Sequence, residues 1–106
     1  MLKHLVRYGA ATLLLMGSAT CLAQSTAEIY VAKCQMCHAP DGSADTPAGK
    51  AMKTRPVKSP DFLKESDTDL IAIIKNGKNK MPAFAGKLTD SQMTDLVAYI
   101  HTLQKK

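Results

Sequence analysis

Five residues, Cys34-Gln35-Met36-Cys37-His38, constrain this chain more than any other feature. On a helix, residues 34, 37 and 38 stand at i, i+3 and i+4, so two thiols and an imidazole leave one face within a single turn. The chain around them has little else with which to build a core. It is 106 residues long, contains no Trp, and its only Phe residues are Phe62 and Phe84, so it holds one domain at most. A disulfide between residues three apart would close a loop too small to add much stability. Domains of this size ordinarily need a disulfide, a metal or a cofactor. A group held by this cluster is therefore expected to fill the middle.

Three segments carry helix signals. Ser25 with Glu28 three residues on forms a capping box, and a helix is expected from there through Ile29, Tyr30 and Val31 to about Cys37. Ser66 with Asp69 repeats the signature ahead of Leu70, Ile71, Ile73 and Ile74, and Asn76-Gly77 supplies the stop. Thr89 with Gln92 opens a third helix whose stripe is Met93, Leu96, Val97, Ile100 and Leu103. No segment alternates with period two, so the expected fold is all-α. Between the helices lie two loops. Residues 39–61 hold Pro40, Gly42, Pro47, Gly49, Pro56 and Pro60, with a short helical turn near Gly49 to Lys53; residues 77–88 hold Lys78, Lys80, Met81, Pro82 and Gly86. Loops this long in so small a domain are usually functional.

The cysteine cluster ends a helix, which separates three chemistries. A reactive dithiol needs its two cysteines after a strand and at a helix N-terminus, where the dipole lowers the thiol pKa. Zinc needs four comfortably spaced ligands; His38 is cramped against Cys37, and His101 is the only other histidine after residue 4. The remaining reading is C-x-x-C-H as a covalent haem site: Cys34 and Cys37 bond the two vinyl groups on one haem edge, and the imidazole of His38 reaches the iron.

An iron held by one imidazole has a second axial position, for which Met81 is the candidate. Pro82 biases it toward extended backbone in a loop between two helices, and a thioether ligand raises the reduction potential, as electron transfer requires. Met52 is the rival, being also in a loop. Met93 belongs to the apolar stripe of the last helix, Met36 lies between the anchoring cysteines and cannot fold back over the iron, and His101 reads as a boundary residue of the last helix.

The first 23 residues read as a cleaved signal peptide. Lys3 and Arg7 form a basic start, Leu13-Leu14-Leu15-Met16 an apolar run, and Cys21-Leu22-Ala23 a small-residue end. The run is too short to span a bilayer, and no later segment is apolar enough to do so. Cleavage after Ala23 leaves a domain of residues 24–106, or 83 residues, in the periplasm. Two alternatives compete: a lipid anchor on Cys21, for which Ser18-Ala19-Thr20 is a poor approach, and an uncleaved N-terminal anchor. Without Lys3 and Arg7 the 14 basic and 9 acidic side chains become 12 against 9, a net +3. That is too small and too dispersed for nucleic acid, and suits brief contact with an acidic protein surface.

The chain resembles a short bacterial class I cytochrome c across nearly all of residues 25–105. The residues that carry the resemblance are Tyr30-x-x-Lys33-Cys34-x-x-Cys37-His38, Asn76-Gly77, Lys80-Met81-Pro82-Ala83-Phe84 and Leu96-Val97-Ala98-Tyr99-Ile100, in that order and spacing. The resemblance implies three main helices and long loops wrapped around one haem c, with the first and last helices crossing near Tyr30, Leu96 and Tyr99. It also implies that the Pro47 carbonyl accepts the second N–H of His38. Two departures stand out. Thr26 with Ala27 occupies the crossing where relatives place Gly, which implies a looser or shifted contact. The Trp-bearing segment that covers the haem propionates in larger relatives is absent, leaving Arg55 as a partial substitute.

The function expected is that of a mobile single-electron carrier between redox proteins, not an enzyme, and a monomer. Lys75, Lys78, Lys80 and Lys87 flank Met81, either as an ordinary solvated surface or as a guide toward an acidic partner. Two alternatives remain: a permanently docked electron-transfer subunit of a larger oxidoreductase, and a small haem peroxidase or gas-binding protein with an open sixth site.

Overall fold

The structure, a computed structural model, describes residues 24–106; the expected signal segment and Cys21 lie outside the described residues. Six helices follow in order: α1 Thr26–Lys33, α2 Gln35–His38, α3 Pro47–Ala51, α4 Pro60–Leu63, α5 Asp67–Asn76 and α6 Asp90–Gln104. Among the described residues there is no strand, only two isolated bridges, Lys78 with Met81 and Ala85 with Leu88. The all-α expectation holds.

The three main helices begin where their caps predicted. The hydroxyls of Ser25, Ser66 and Thr89 accept from the backbone N–H groups of Glu28, Asp69 and Gln92. Each bond satisfies one of the donors that a helix start leaves unpaired. At α6 the box is complete, because the Gln92 side chain also accepts from the Thr89 N–H at 2.9 Å. α5 ends on Gly77 at φ 77°; a Cβ there would sit 2.7 Å from the Met81 carbonyl, so the loop that follows can fold back tightly only on a glycine.

Two features differ from expectation. The first helix does not run through to Cys37. It stops at Lys33, Cys34 leaves helical geometry at φ −117°, and a separate turn, α2, carries the rest of the motif. The Cys34 N–H closes the first helix on Tyr30 at 2.9 Å, while its carbonyl accepts from both Cys37 and His38, so one residue ends one helix and starts the next. The long segment 39–61 is also more ordered than a loop. Its helical turn lies two residues earlier than expected, at Pro47–Ala51. A second turn, Pro60–Leu63, starts from a Ser59 cap with Pro at its first position, the place a missing N–H costs nothing.

α6 packs against both α1 and α5. Its stripe buries Met93, Leu96, Val97 and Leu103, each worth ~1.5–3 kcal/mol relative to exposure, while Ile100 packs half-buried at the edge of the same core. The other contributors are Ile29 and Tyr30 from α1, Leu70 and Ile74 from α5, and Val57, Phe62, Phe84 and Leu88 from the connections. The α1–α6 crossing closes on Tyr30 and Tyr99, whose ring centroids are 5.0 Å apart. Thr26 is half-buried and Ala27 exposed, while Ile29 and Tyr30 are the buried residues of α1. No helix among the described residues is long and apolar enough to cross a membrane.

Candidate functional site

One side of this core is open. A cavity of about 550 Å³ is lined by Cys34, Cys37 and His38 from the motif, Leu70, Ile73 and Ile74 from α5, Met81 and Phe84 from the following loop, and Ile100 from α6. That volume lies in the range of sites for bound small molecules and cofactors, ~300–1,000 Å³. All four residues singled out from sequence, Cys34, Cys37, His38 and Met81, therefore reach one cavity from two segments far apart in the chain.

The motif side is held by its backbone. Gly49 of α3 sits so close beneath α2 that a Cβ would collide with the carbonyls of Cys37 and Ala44. The Thr46 hydroxyl donates to the Met36 carbonyl at 2.6 Å and accepts from the Gly49 N–H at 2.8 Å. Burial pushes the Cys34 thiol up to about 11, against the opposing charge of Lys33. A thiol so raised is a poor nucleophile at neutral pH, the reverse of a reactive dithiol. Among the described residues no three His, Cys, Asp or Glu side chains come together as a metal-binding group of the kind zinc needs.

Burial, and then the Arg55 charge, hold the His38 imidazole below its ordinary range, with a backbone contact to Arg55 acting the other way. The neutral ring this favours is the form that binds metals. Its Nδ1 is buried with no hydrogen-bond partner among the described residues. The expected bond to the Pro47 carbonyl is thus not made: Pro47 is the first residue of α3, and a carbonyl there is turned along the helix axis toward its own turn.

Met81 is presented by a tight loop. Lys78 and Met81 exchange backbone hydrogen bonds at 3.2 and 2.9 Å, with Asn79 in the left-handed region at φ 53°, a conformation Asn tolerates better than most residues. The Phe84 N–H donates to the Ile74 carbonyl at 2.9 Å and that of Ala85 to Lys75 at 3.0 Å, stitching the loop to α5. Met52 also lines the cavity but is 48% exposed at the end of α3. Met36 is 77% exposed and Met93 is core. His101 faces away, bonded to Asp67 and Gln104, a boundary residue as expected.

The cavity rim was only partly foreseen. Lys78, Lys80 and Arg55 belong to it, but so do Lys33, Lys53 and Lys64, against two acids, Asp61 and Glu65. Glu65 is the shared partner of Arg55 at 3.2 Å and of Lys78 at 3.7 Å, and the Arg55 guanidinium lies 5.3 Å from the Phe62 ring centre. No sequence motif marked Glu65; its place follows from the turn of α4, which brings it back to the cavity. Lys75 points elsewhere, 3.7 Å from Asp90.

Comparison with known proteins agrees with this geometry. Residues 22–100 match the family model described as cytochrome c oxidase, cbb3-type, subunit III. The chain is 36% identical over 74 residues to cytochrome c6 of Parathermosynechococcus lividus and, to the same extent, to that of Synechococcus elongatus, covering 70% of this chain and 82% of each relative. Among solved structures, the c-type cytochrome KustC0563 superposes with a TM-score of 0.69 at 26% identity, over 76% of this chain and 99% of that one.

Proposed function

The chain belongs to the class I cytochrome c family, and on that premise we propose that Cys34 and Cys37 are the anchors of its haem and that His38 and Met81 are the axial ligands of the iron. The protein is a monohaem electron carrier rather than an enzyme, and its cofactor is covalent haem c. The observation that supports the residue assignment best is the convergence of those four side chains on one cavity.

When bound, the haem supplies a one-electron iron couple. The chain's own residues do the rest. Cys34 and Cys37 fix the group covalently, and burial keeps His38 in the neutral form that can donate to iron. The Met81 thioether favours the reduced state. Leu70, Ile73, Ile74, Phe84 and Ile100 form an apolar wall that limits water and so also tunes the potential. Around the mouth the six basic and two acidic side chains give a positive rim. It steers the carrier toward a redox protein with an acidic surface, raising the rate of encounter.

Residues 1–23 act as the export signal, cleaved after Ala23, and the mature domain of residues 24–106 works in the periplasm. The basic start, short apolar run and Ala23 support this reading; mass spectrometry of the exported protein should give a chain beginning at Gln24. The test of the haem assignment is co-expression with haem-attachment machinery. The protein should keep its haem through denaturing electrophoresis, and the variant carrying Cys34→Ala and Cys37→Ala should lose it; denaturant-resistant haem in that variant would overturn the assignment.

A second reading is supported by the family model itself, whose description is that of an oxidase subunit. Met36 and Val31, 77% and 58% exposed, would then belong to a permanent interface. Size-exclusion chromatography of the mature holoprotein separates the two, since a docked subunit should self-associate through its uncovered apolar surface and a mobile carrier should elute as a monomer.

A further inference from the structure

Ala39 follows the proposed axial histidine directly, and its backbone closes α2 at φ 66° and ψ 161°. That region is essentially reserved for glycine, yet the residue is an alanine and is 3% exposed. Its conformation is held by its hydrogen bonds. The Ala39 N–H donates to Gln35 at 2.9 Å, and its carbonyl accepts from the Gly42 N–H at 3.2 Å. The same carbonyl accepts from the Tyr30 hydroxyl at 2.6 Å. Only the last of these bonds reaches the turn from α1.

Tyr30 is itself tightly packed. It is 1% exposed and packs against Tyr99 at the crossing with α6. Burial raises its phenol far above the ordinary tyrosine value, so the hydroxyl remains a proton donor throughout the physiological range. A phenylalanine would fill nearly the same volume and keep the ring contact. The hydroxyl itself makes one bond, to Ala39. His38, for its part, has one ring nitrogen, Nδ1, buried and unpartnered among the described residues, and the other polar contact of its ring is to the Arg55 backbone. The turn that carries it therefore shares in fixing the direction in which its ring enters the cavity.

We infer that Tyr30 is a positioning residue for the axial ligand: through the Ala39 carbonyl, its hydroxyl clamps the strained turn that aims His38 into the cavity. This rests on the reading of His38 as the axial ligand. Residues that support a metal ligand from behind fix its orientation and thereby the properties of the metal. Here that support arrives through the backbone, since the Nδ1 of the imidazole has no partner among the described residues.

The test uses ferric holoprotein and its paramagnetically shifted haem-methyl proton resonances, whose order and spread report the plane of the axial imidazole. Tyr30→Phe should change that pattern. Adding Ala39→Gly to it should restore most of the wild-type pattern, because glycine adopts the turn unstrained and no longer needs the clamp. A lower melting temperature with an unchanged methyl pattern in Tyr30→Phe would reduce the hydroxyl to a merely structural role and overturn the proposal, as would the absence of rescue by Ala39→Gly. Should Tyr30→Phe alone fail to accumulate with haem, accumulation of the double variant supports the clamp and its failure overturns it. The wild-type spectrum tests the underlying reading separately: if it lacks the low-spin signature of imidazole ligation, the assignment of His38 falls first.

Discussion

His101, near the end of α6, places its Nε2 2.6 Å from the Oδ1 of Asp67, the first residue of α5. Its other ring nitrogen faces the Gln104 side-chain oxygen at 2.7 Å, and the Gln104 amide is fixed in that orientation because its NH2 group donates to the Val57 carbonyl at 2.8 Å. Both imidazole nitrogens thus face acceptors, which only the doubly protonated ring can satisfy. The bond to Asp67, then that to Gln104, raise the His101 pKa above its ordinary value, with partial burial and then the Lys105 charge acting against them.

The sign of the pH effect follows. A raised folded-state pKa means the stabilisation is fully present below the unfolded value of ~6.5 and is lost as pH rises through the folded one. The pair is largely solvated, so its contribution is held to roughly 1 kcal/mol or less. The urea midpoint of the holoprotein should fall as pH is raised from about 5.5 to about 8.5, and His101→Gln should remove most of that slope. An unchanged slope in the variant would assign the effect to other groups.

The second prediction separates the two loop methionines. Met81 is held by the Lys78 turn and the Phe84–Ile74 bond, whereas Met52 ends α3 half-exposed. Met81→Ala should abolish the weak far-red sulfur-to-iron band of the oxidised protein and lower its potential. Met52→Ala should leave both in place. Loss of the band in the Met52 variant would transfer the ligand role to α3.

Gly49 supplies the third. A side chain there would meet the Cys37 and Ala44 carbonyls, which are backbone and cannot swing aside. Gly49→Ala should cost ~1–3 kcal/mol, the usual range for overpacking, and should reduce covalent haem loading because it displaces the motif. Gly86→Ala is the comparison. That site has φ 78° but open space, so it should cost ~1–2 kcal/mol from the left-handed backbone alone and leave haem loading unchanged. Equal loading defects in the two would remove any special role for the α2–α3 contact.

The fourth concerns the basic rim. The bimolecular rate with an acidic redox partner should fall as salt rises, since charge steering is screened over ~10 Å at ~0.1 M ionic strength. Changing Lys78 and Lys80 together to Gln should flatten that dependence, and so should the pair Lys33→Gln with Lys53→Gln, which also line the cavity. Stability and the haem spectrum should stay nearly constant, because exposed charges contribute little to folding. Lys105→Gln with Lys106→Gln, at the end of the chain, should matter much less. An equal effect from that pair would mean that net charge alone sets the rate.

The starts of α1, α5 and α6, the stop at Gly77 and the apolar stripe of α6 were legible in the sequence because each depends on residues within one or two turns of one another. Cap hydroxyls and the period of apolar positions are local facts. The Pro60 turn was announced as locally, by Ser59 ahead of a proline, but a proline-rich stretch masks such a cap. The break at Cys34 carried no such signal. It arises because one carbonyl serves two N–H donors, and no residue type at position 34 encodes that choice.

The sequence by itself therefore determined the chemistry: two thiols and an imidazole within five residues, a methionine before a proline, and too few large apolar side chains to close a core without a further group. Only the tertiary structure decided what surrounds that chemistry. It brought Glu65 between Arg55 and Lys78, carried Lys33, Lys53 and Lys64 to the cavity mouth, denied His38 the Pro47 carbonyl and gave Ala39 the Tyr30 hydroxyl instead. The physical reason is the distance along the chain. Spacing within a helix turn is fixed by covalent geometry, whereas partners far apart in sequence meet only where the packing of α1, α5 and α6 leaves them.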